Sequence, residues 1–316
     1  MQERQLGRSD LRIPTLMFGG NVFGWTASRD ESFRLLDQIV AGGLYAIDTA
    51  DVYSAWVPGH AGGESESIIG DWLSARGNRD KVVIATKVGM AVHGGKGLSR
   101  TWITTAIEGS LRRLRTDHVD LYQAHADDPD TPLEETLEAF AALVTAGKVR
   151  VIGASNYTAP RLREALAVSD RLGLPRYESL QPHYNLVERS GYEKTLEPLV
   201  TETGLGVIPY YSLASGFLTG KYRSEADLAG RARAKGAAAY LNPKGMAVLA
   251  ALDQVAARTN ANVTQVALAW LIARPSITAP IVSASHVDQV GDLIKATALR
   301  LDADDIALID KASAGD

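Results

Sequence analysis

Tyr45-Ala46-Ile47-Asp48-Thr49-Ala50-Asp51-Val52-Tyr53 is a short apolar run that ends in an acid, with a tyrosine five residues after that acid. Tyr45-Ala46-Ile47 reads as a strand that delivers Asp48 to its C-terminal end, and the turn beyond brings Tyr53 back over that end. In a barrel of parallel strands, side chains at strand C-termini and in the loops beyond them converge on one mouth. A phenol of ordinary pKa, about 10, is a weak acid at neutral pH. It needs a nearby cation to stabilise its anion. A cation is therefore expected at another strand end.

Toward the N-terminus, Gln5-Leu6-Gly7-Arg8-Ser9-Asp10-Leu11-Arg12-Ile13 alternates apolar positions around a turn composition, which predicts a small β-hairpin. Residues 15–18 are expected as a strand, followed by a loop at Gly19-Gly20-Asn21. From 29 to 41, Phe33, Leu36 and Val40 recur at helical spacing, and Gly42-Gly43 stops that helix. Beyond Tyr53 the cadence repeats. A helix over 65–73 precedes a buried strand over 81–87 that ends in a lysine. Ser99 is placed to cap a helix whose apolar face is Ile103, Ile107, Leu111 and Leu114. Residues 119–125 form a strand ending in a histidine. Thr131-Pro132-Leu133-Glu134 reads as a capping box with proline at the first helical position. The helix it opens buries Leu133, Leu137, Phe140 and Val144 and ends at Gly147.

A strand over 149–155, a helix over 160–172, a short strand over 179–181, a helix over 192–203 and a strand over 206–210 come next. The stretch from 211 to about 243, rich in Gly, Ala and Arg, shows no period and is expected as a long mobile loop. Helices near 244–258 and 264–273 follow, then a strand over 278–282, a helix over 287–295 and a last short helix capped by Asp302. Strands separated by helices about eight times over predict an α/β fold, a closed (β/α)8 TIM barrel occupying 1–316 as one domain. A doubly wound sheet is the rival, but the chain contains no Gly-x-Gly-x-x-Gly and no Walker A sequence.

The net charge of −4 gives no electrostatic footprint for nucleic acid or an anionic membrane. Cysteine is absent, which excludes disulfides and thiolate metal sites. Met1-Gln2-Glu3-Arg4-Gln5 lacks the apolar segment of a signal peptide, and the longest apolar runs are far too short for a membrane span. A cytoplasmic location is the expectation, and the sequence leaves the oligomeric state open.

Four polar residues fall at or just past strand ends: Asp48, Tyr53, Lys87 and His125. Singly, each has an ordinary reading: a turn acid, a packing tyrosine, a solvated lysine, a surface histidine. Jointly, they belong to successive strands whose ends meet in one place. They suit protonation of a carbonyl oxygen as hydride arrives at its carbon. Tyr53 would donate the proton, the Lys87 ammonium would lower its pKa, and Asp48 would pair with Lys87 and hold it. His125 would hydrogen-bond the substrate oxygen and orient it. A buried lysine without a partner tends to lose its proton, so the pairing with Asp48 is physically required. No metal-ligating set is apparent.

Further along stand Ala85-Thr86-Lys87, the His125 strand with Asp128 three residues later, Gly153-x-Ser155-Asn156, Gln181, and Phe217-Leu218-Thr219-Gly220-Lys221. Together with Asp48-Thr49-Ala50-x-x-Tyr53, and in this order, they resemble the aldo-keto reductases over nearly the whole chain. The resemblance implies that the four residues are a catalytic tetrad. It implies NADPH as cofactor, with NADH the alternative, bound extended across the barrel mouth. By it, Ser155, Asn156 and Gln181 grip the carboxamide, and Tyr210 stacks on the nicotinamide. Gly20, Asn21 and Asp48 border the same site. The loop from Tyr211 through Ser212, Leu213, Ser215 and Gly216 to Lys221 wraps the pyrophosphate. Ser283, Ser285, His286 and Gln289 occupy the segment that meets the 2′-phosphate.

Two positions depart from the family's pattern. His286 stands where arginine is common, and imidazole is only partly charged near pH 7 whereas guanidinium always is. Leu293 stands where asparagine is frequent. NADPH remains favoured, with Lys221, Arg231 and Arg233 as further cations.

Phe23, Trp25, Trp56, His93 and Tyr184 are expected around the mouth, where aromatic walls suit ring-bearing or sugar-like carbonyls. The sequence goes no further than an aldehyde, ketone or sugar-derived carbonyl reduced to an alcohol, or the reverse. Two rivals stand beside that reading. One is a catalytically weak, NADPH-binding regulatory protein of the same fold, like the channel-associated members of the family. The other is a metal- or phosphate-dependent barrel isomerase.

Overall fold

The computed structural model describes residues 2–314. The chain opens with an antiparallel hairpin, β1 (Glu3–Gln5) and β2 (Arg12–Pro14). Eight parallel strands follow: β3 (Met17–Gly19), β4 (Ala46–Asp48), β5 (Val83–Val88), β6 (Val119–Ala124), β7 (Val149–Ser155), β8 (Tyr177–Gln181), β9 (Gly206–Val207) and β10 (Ile281–Val282). Their order is β10-β3-β4-β5-β6-β7-β8-β9, so each pairs with its predecessor in sequence and β10 returns beside β3. Backbone bonds from Thr278 N–H to the Val207 carbonyl (2.8 Å) and from Ile281 N–H to the Pro209 carbonyl (2.9 Å) close the ring. This is the (β/α)8 barrel with its N-terminal hairpin.

The helices between strands are α1 (Arg29–Ala41), α2 (Glu64–Arg76), α3 (Arg100–Leu114), α4 (Leu133–Thr145) and α5 (Ala159–Leu172). The later ones are α6 (Ser190–Glu193), α7 (Glu197–Thr203), α8 (Ala234–Ala238), α9 (Pro243–Thr259), α10 (Val263–Ala273), α11 (Val290–Ala298) and α12 (Ala303–Ser313). Ser28, Ser99, Thr158, Asn242, Asn262 and Asp302 each accept a backbone N–H at a helix start, satisfying donors that the first turn leaves free.

Strand alternation decides where the site lies. Ile47, Ile84, Tyr122 and Ile152 point outward into the layer packed under the helices. Ala46, Ala85, Leu121 and Val151 point inward and fill the barrel, where Leu6, Leu11 and Ile13 of the hairpin plug the N-terminal end. Two residues further along each of these strands, the inward set becomes Asp48, Lys87, Gln123 and Gly153. The barrel interior thus changes from carbon to polar atoms toward the C-terminal ends of the strands. All of the first three are almost fully buried.

Three expectations need correction. The stretch after β9 is not featureless: it carries 3-10 turns at Ala214–Thr219 and Glu225–Leu228 and the helix α8, pinned by buried Phe217, Leu218, Tyr222 and Ala237. Those anchors are spaced for several one-turn elements rather than one helix, so no period shows. The helix expected over 192–203 is two pieces, because Pro198 has no N–H to donate and sits in the first turn of α7 instead. Thr131 does not cap α4. Its hydroxyl donates to Asp128 (2.7 Å), and Pro132 occupies the cap position without a side-chain bond.

Candidate active site

Lys87 is fully buried and its Nζ makes three bonds, to Asp48 Oδ2 (2.6 Å), the Thr49 carbonyl (2.8 Å) and Tyr53 Oη (3.0 Å). An ammonium has three donors, and here all three are used. β4 and β5 bring the pair together through parallel register, with Asp48 opposite Ala85 and Lys87 two residues on. The other oxygen of Asp48, Oδ1, accepts from Gln181 Nε2 (2.9 Å) and Gln123 Nε2 (3.2 Å). Gln181 also donates to Gln123 Oε1 (3.2 Å). Gln123 went unrecognised in the sequence. The signal that would have found it is alternation, since it sits two residues before His125 on the same inward face of β6.

The electrostatics of the group follow from burial. Burial alone would neutralise Lys87, but the charge of Asp48, reinforced by Tyr53, outweighs it and holds the lysine pKa above its ordinary value. Burial raises the Tyr53 phenol above its usual range, while Lys87 pulls the other way. His125 is held well below the usual histidine range, first by burial and then by the Lys87 charge. It is neutral at pH 7. Its ring lies edge-on to Tyr53, with centroids 5.9 Å apart, and its Nδ1 is buried without a partner.

Tyr53 and His125 open into a cleft of about 1020 Å³. Ser155, Asn156, Gln181 and Tyr210 line it beside them. Ser155 Oγ donates to the Gln181 carbonyl (2.9 Å), and Asn156 Nδ2 donates to the His125 carbonyl (2.9 Å). Gly153 makes this packing feasible: a Cβ there would lie 2.2 Å from Ser179 Oγ and 3.2 Å from Gln123 Cγ. Tyr210 stacks one face on His183, 14° from parallel at 5.3 Å, and donates its hydroxyl to Asn156 Oδ1 (2.7 Å). Tyr211, by contrast, is 51% exposed in the cleft.

Ser212, Leu213, Ser215, Gly216 and Lys221 continue the wall, and Ser283, Ser285, His286 and Gln289 face them from the turn after β10. Asn21 lines the cleft too, accepting from Ser283 Oγ (2.6 Å). Gly20 lies beneath, its carbonyl accepting from Ser65 Oγ (2.8 Å). Gln289 Oε1 accepts the Ser285 N–H (2.9 Å), which shapes that turn. Lys221, Arg231 and Arg233 line the same cleft, and none has a carboxylate partner among the described residues. Burial first, and then the charges of Arg231 and Arg233, depress the Lys221 pKa. Three cations left to repel one another in a cleft form a receptor for anionic groups. The cleft therefore has the volume, cations, amide and hydroxyl groups that a dinucleotide requires.

Not every expected mouth residue reaches the cleft. Trp25 and Trp56 do. Phe23 is buried against Phe18, and Tyr184 packs on Tyr192 and Trp270 with its hydroxyl on Glu193 (2.7 Å). Both are core residues, because sequence proximity to a strand end does not fix which way a loop side chain turns. His93 is outside the lining. Asp128 organises its own loop by accepting from Leu98 N–H, Thr131 and Asp130 N–H.

Behind Lys87 lies a second buried group. Asp51 is 1% exposed, its carboxyl oxygens have no hydrogen-bond partner, and its N–H donates to the Lys87 carbonyl (3.3 Å). Burial, and then the charge of Glu66, pushes its pKa up to about 8, against the pull of Arg113 and Lys87. Glu66 is itself tied to Arg113 (2.7 Å) and Thr86 (2.5 Å).

Among the described residues no three His, Asp or Glu side chains are grouped to hold a metal ion, and no helix is long and apolar enough to cross a membrane. Comparison with known proteins agrees with this barrel. The model of the Aldo/keto reductase family matches residues 15–314, and the chain belongs to that family. It is 37% identical to the uncharacterized oxidoreductase YrpG of Bacillus subtilis, over 96% of this chain and 93% of that protein. It is also 34% identical to a probable voltage-gated potassium channel subunit beta of Oryza sativa, covering 94% and 91%. Identity to the aldo-keto reductase YhdN of Bacillus subtilis is 30%, covering 94% and 87%.

Proposed function

We propose that this oxidoreductase reduces an aldehyde or ketone to an alcohol, or runs the reverse, with NADPH as the preferred nicotinamide and Tyr53 as the proton donor. The observation that carries the reading is the Lys87 ammonium, bonded at once to Asp48 and to the phenol of Tyr53 at the floor of the cleft. The reduced nicotinamide, when bound, supplies the hydride to the carbonyl carbon. Tyr53 gives its proton to the carbonyl oxygen, and Lys87 stabilises the phenolate that this leaves. Asp48 keeps Lys87 charged and aimed. Neutral His125, whose backbone carbonyl is tied to Asn156, orients the oxygen through its ring N–H.

Ser155, Asn156 and Gln181 would hold the carboxamide, and the open face of either Tyr210 or Tyr211, whose rings stand 65° apart, would stack the nicotinamide ring. Because His183 covers one side of Tyr210, Tyr211 offers the freer face. Lys221, Arg231 and Arg233 would take the phosphates, with Ser212, Leu213, Ser215 and Gly216 along the pyrophosphate. Ser283, Ser285, His286 and Gln289 would surround the adenosine 2′ position.

A panel of carbonyl compounds with NADPH and NADH, followed at the cofactor's absorbance, tests the reaction. Tyr53→Phe is expected to lower kcat by about a hundredfold or more, the scale of lost general-acid catalysis. Its NADPH affinity, measured by fluorescence titration, should stay near that of the parent. Undiminished turnover in that variant would sink the role given to the phenol. The likeness to potassium channel beta subunits supports a second reading, a nucleotide-binding regulatory protein with slow chemistry. Bound NADPH that no aldehyde oxidises would favour it.

A further inference from the structure

Past its last residue, β4 runs on beside β5: Thr49 N–H donates to the Ala85 carbonyl (2.8 Å) and Asp51 N–H to the Lys87 carbonyl (3.3 Å). The segment that leads to Tyr53 is therefore tied to the backbone of Lys87. Asp48 turns into the barrel, whereas the Asp51 carboxyl faces the layer under α2 and α3, where Glu66, Arg113 and Tyr122 are its electrostatic neighbours.

This chamber behind Lys87 is short of cations. Glu66 on α2 is fully buried and already committed, with Oε2 accepting from Arg113 Nε (2.7 Å) and Oε1 from Thr86 Oγ1 (2.5 Å). Arg113 on α3 is held in place by its bond to Ser110 Oγ (3.3 Å) and by the glycine at 63, where a Cβ would lie 2.5 Å from its Cδ. Lys87 places all three of its hydrogens on Asp48, the Thr49 carbonyl and Tyr53. Tyr122 on β6 is buried, and its hydroxyl has no partner among the described residues. His93, exposed on the loop after β5, is coupled to Glu66 and Arg113, and Glu64 gives its carboxylate to the Ala61 and Gly62 N–H groups. Two buried carboxyls thus face one guanidinium, which is bonded to Glu66 and not to Asp51. An ionised Asp51 would be a buried charge without a hydrogen-bond partner, which is costly. Its raised pKa agrees with that geometry.

We propose that Asp51 is a positioning residue of the reaction: while it holds its proton, the Lys87 ammonium acts on Asp48 and Tyr53 alone, and its ionisation makes Tyr53 a poorer acid. This deepens the reductase reading and rests on it for the reaction, though not for the buried proton. Asp51 and Lys87 attract one another in a site with little water to screen them. A second anion there offsets part of the positive potential at the phenol, so the phenolate left by proton transfer is less stabilised. The Asp51 proton does not pass to substrate; it leaves to solvent as pH rises. Carbonyl reduction should therefore step down as Asp51 ionises.

The test is stopped-flow single turnover of 4-nitrobenzaldehyde by the parent, Asp51→Asn and Glu66→Gln, each holding NADPH, from about pH 6 to about pH 9. The hydride-transfer rate of the parent should fall about threefold to tenfold across a step centred near pH 8. Asp51→Asn copies the protonated shape and should keep the low-pH rate throughout. Glu66→Gln should move the step to lower pH, because it removes an anion that helps Asp51 keep its proton. A residue needed only for folding would change the rate without removing the step. Infrared difference spectra of the same proteins read the proton without catalysis. The parent should show a protonated-carboxyl C=O band that fades above pH 8 and is missing in Asp51→Asn. Rate profiles of the parent and Asp51→Asn that run parallel, or the absence of that band, overturn the proposal. A parent that has the band but reduces no carbonyl would keep the buried proton on Asp51 and sink the reductase reading instead.

Discussion

Asp51 is the residue whose chemistry is least compensated by its surroundings. An unfolded chain would ionise this carboxyl near pH 4. The folded protein keeps it protonated up to about pH 8. The folded state therefore binds the extra proton, and linkage fixes the sign: stability is greatest below pH 4 for this group and falls as pH rises toward 8. Asp51→Asn removes the titration and nearly keeps the shape. Between pH 5 and pH 8 the variant should lose less stability in urea melts than the parent, by on the order of 4 kcal/mol. Parallel pH profiles would show that Arg113 and Lys87 leave Asp51 ionised in spite of its burial and of Glu66. Lys87 illustrates the opposite outcome, a buried charge whose three hydrogens all find acceptors.

At the scale of elements, the turn between β10 and α11 would decide, on the proposed function, how a 2′-phosphate is met. Gln289 locks its backbone by accepting from Ser285 and His286 N–H groups, so the exposed His286 side chain is presented on a fixed frame. A guanidinium on that frame would bind a phosphate through two parallel hydrogen bonds and carry full charge at every working pH. His286→Arg should raise the NADPH-to-NADH affinity ratio by about tenfold in paired titrations. An unchanged ratio would remove His286 from the phosphate site. The strap between β9 and α9 works similarly. Its short turns hold Lys221, Arg231 and Arg233 along the same cleft without a carboxylate in ion-pair contact among the described residues, which on the proposed function leaves them for the cofactor's phosphates.

At the scale of the whole molecule, the cleft is walled by loops from most of the ring, so a ligand that fills it ties strands together across the barrel. A ligand that binds only the folded state stabilises it by mass action. With NADPH at about a hundredfold above its Kd, Tm should rise on the order of 5 °C. NADP without its nicotinamide contacts, tested as 2′-phospho-ADP-ribose, should raise it less. Equal melting with and without nucleotide would contradict a cofactor role for the cleft.

The sequence by itself determined the barrel, its hairpin and the four polar residues at its mouth, because all of them are written in local patterns. Alternation along a strand says which side chains point inward, and the switch from Ala46 to Asp48, or Ala85 to Lys87, says where carbon gives way to charge. Only the tertiary structure decided which groups found partners. Gln123 joins Asp48 across two strands, and Asp51 is stranded between α2 and β5. Phe23 and Tyr184 turn into the core, while Trp25 and Trp56 turn into the cleft. These choices depend on contacts between segments far apart in the chain, and no period or motif within one segment encodes what packs against it.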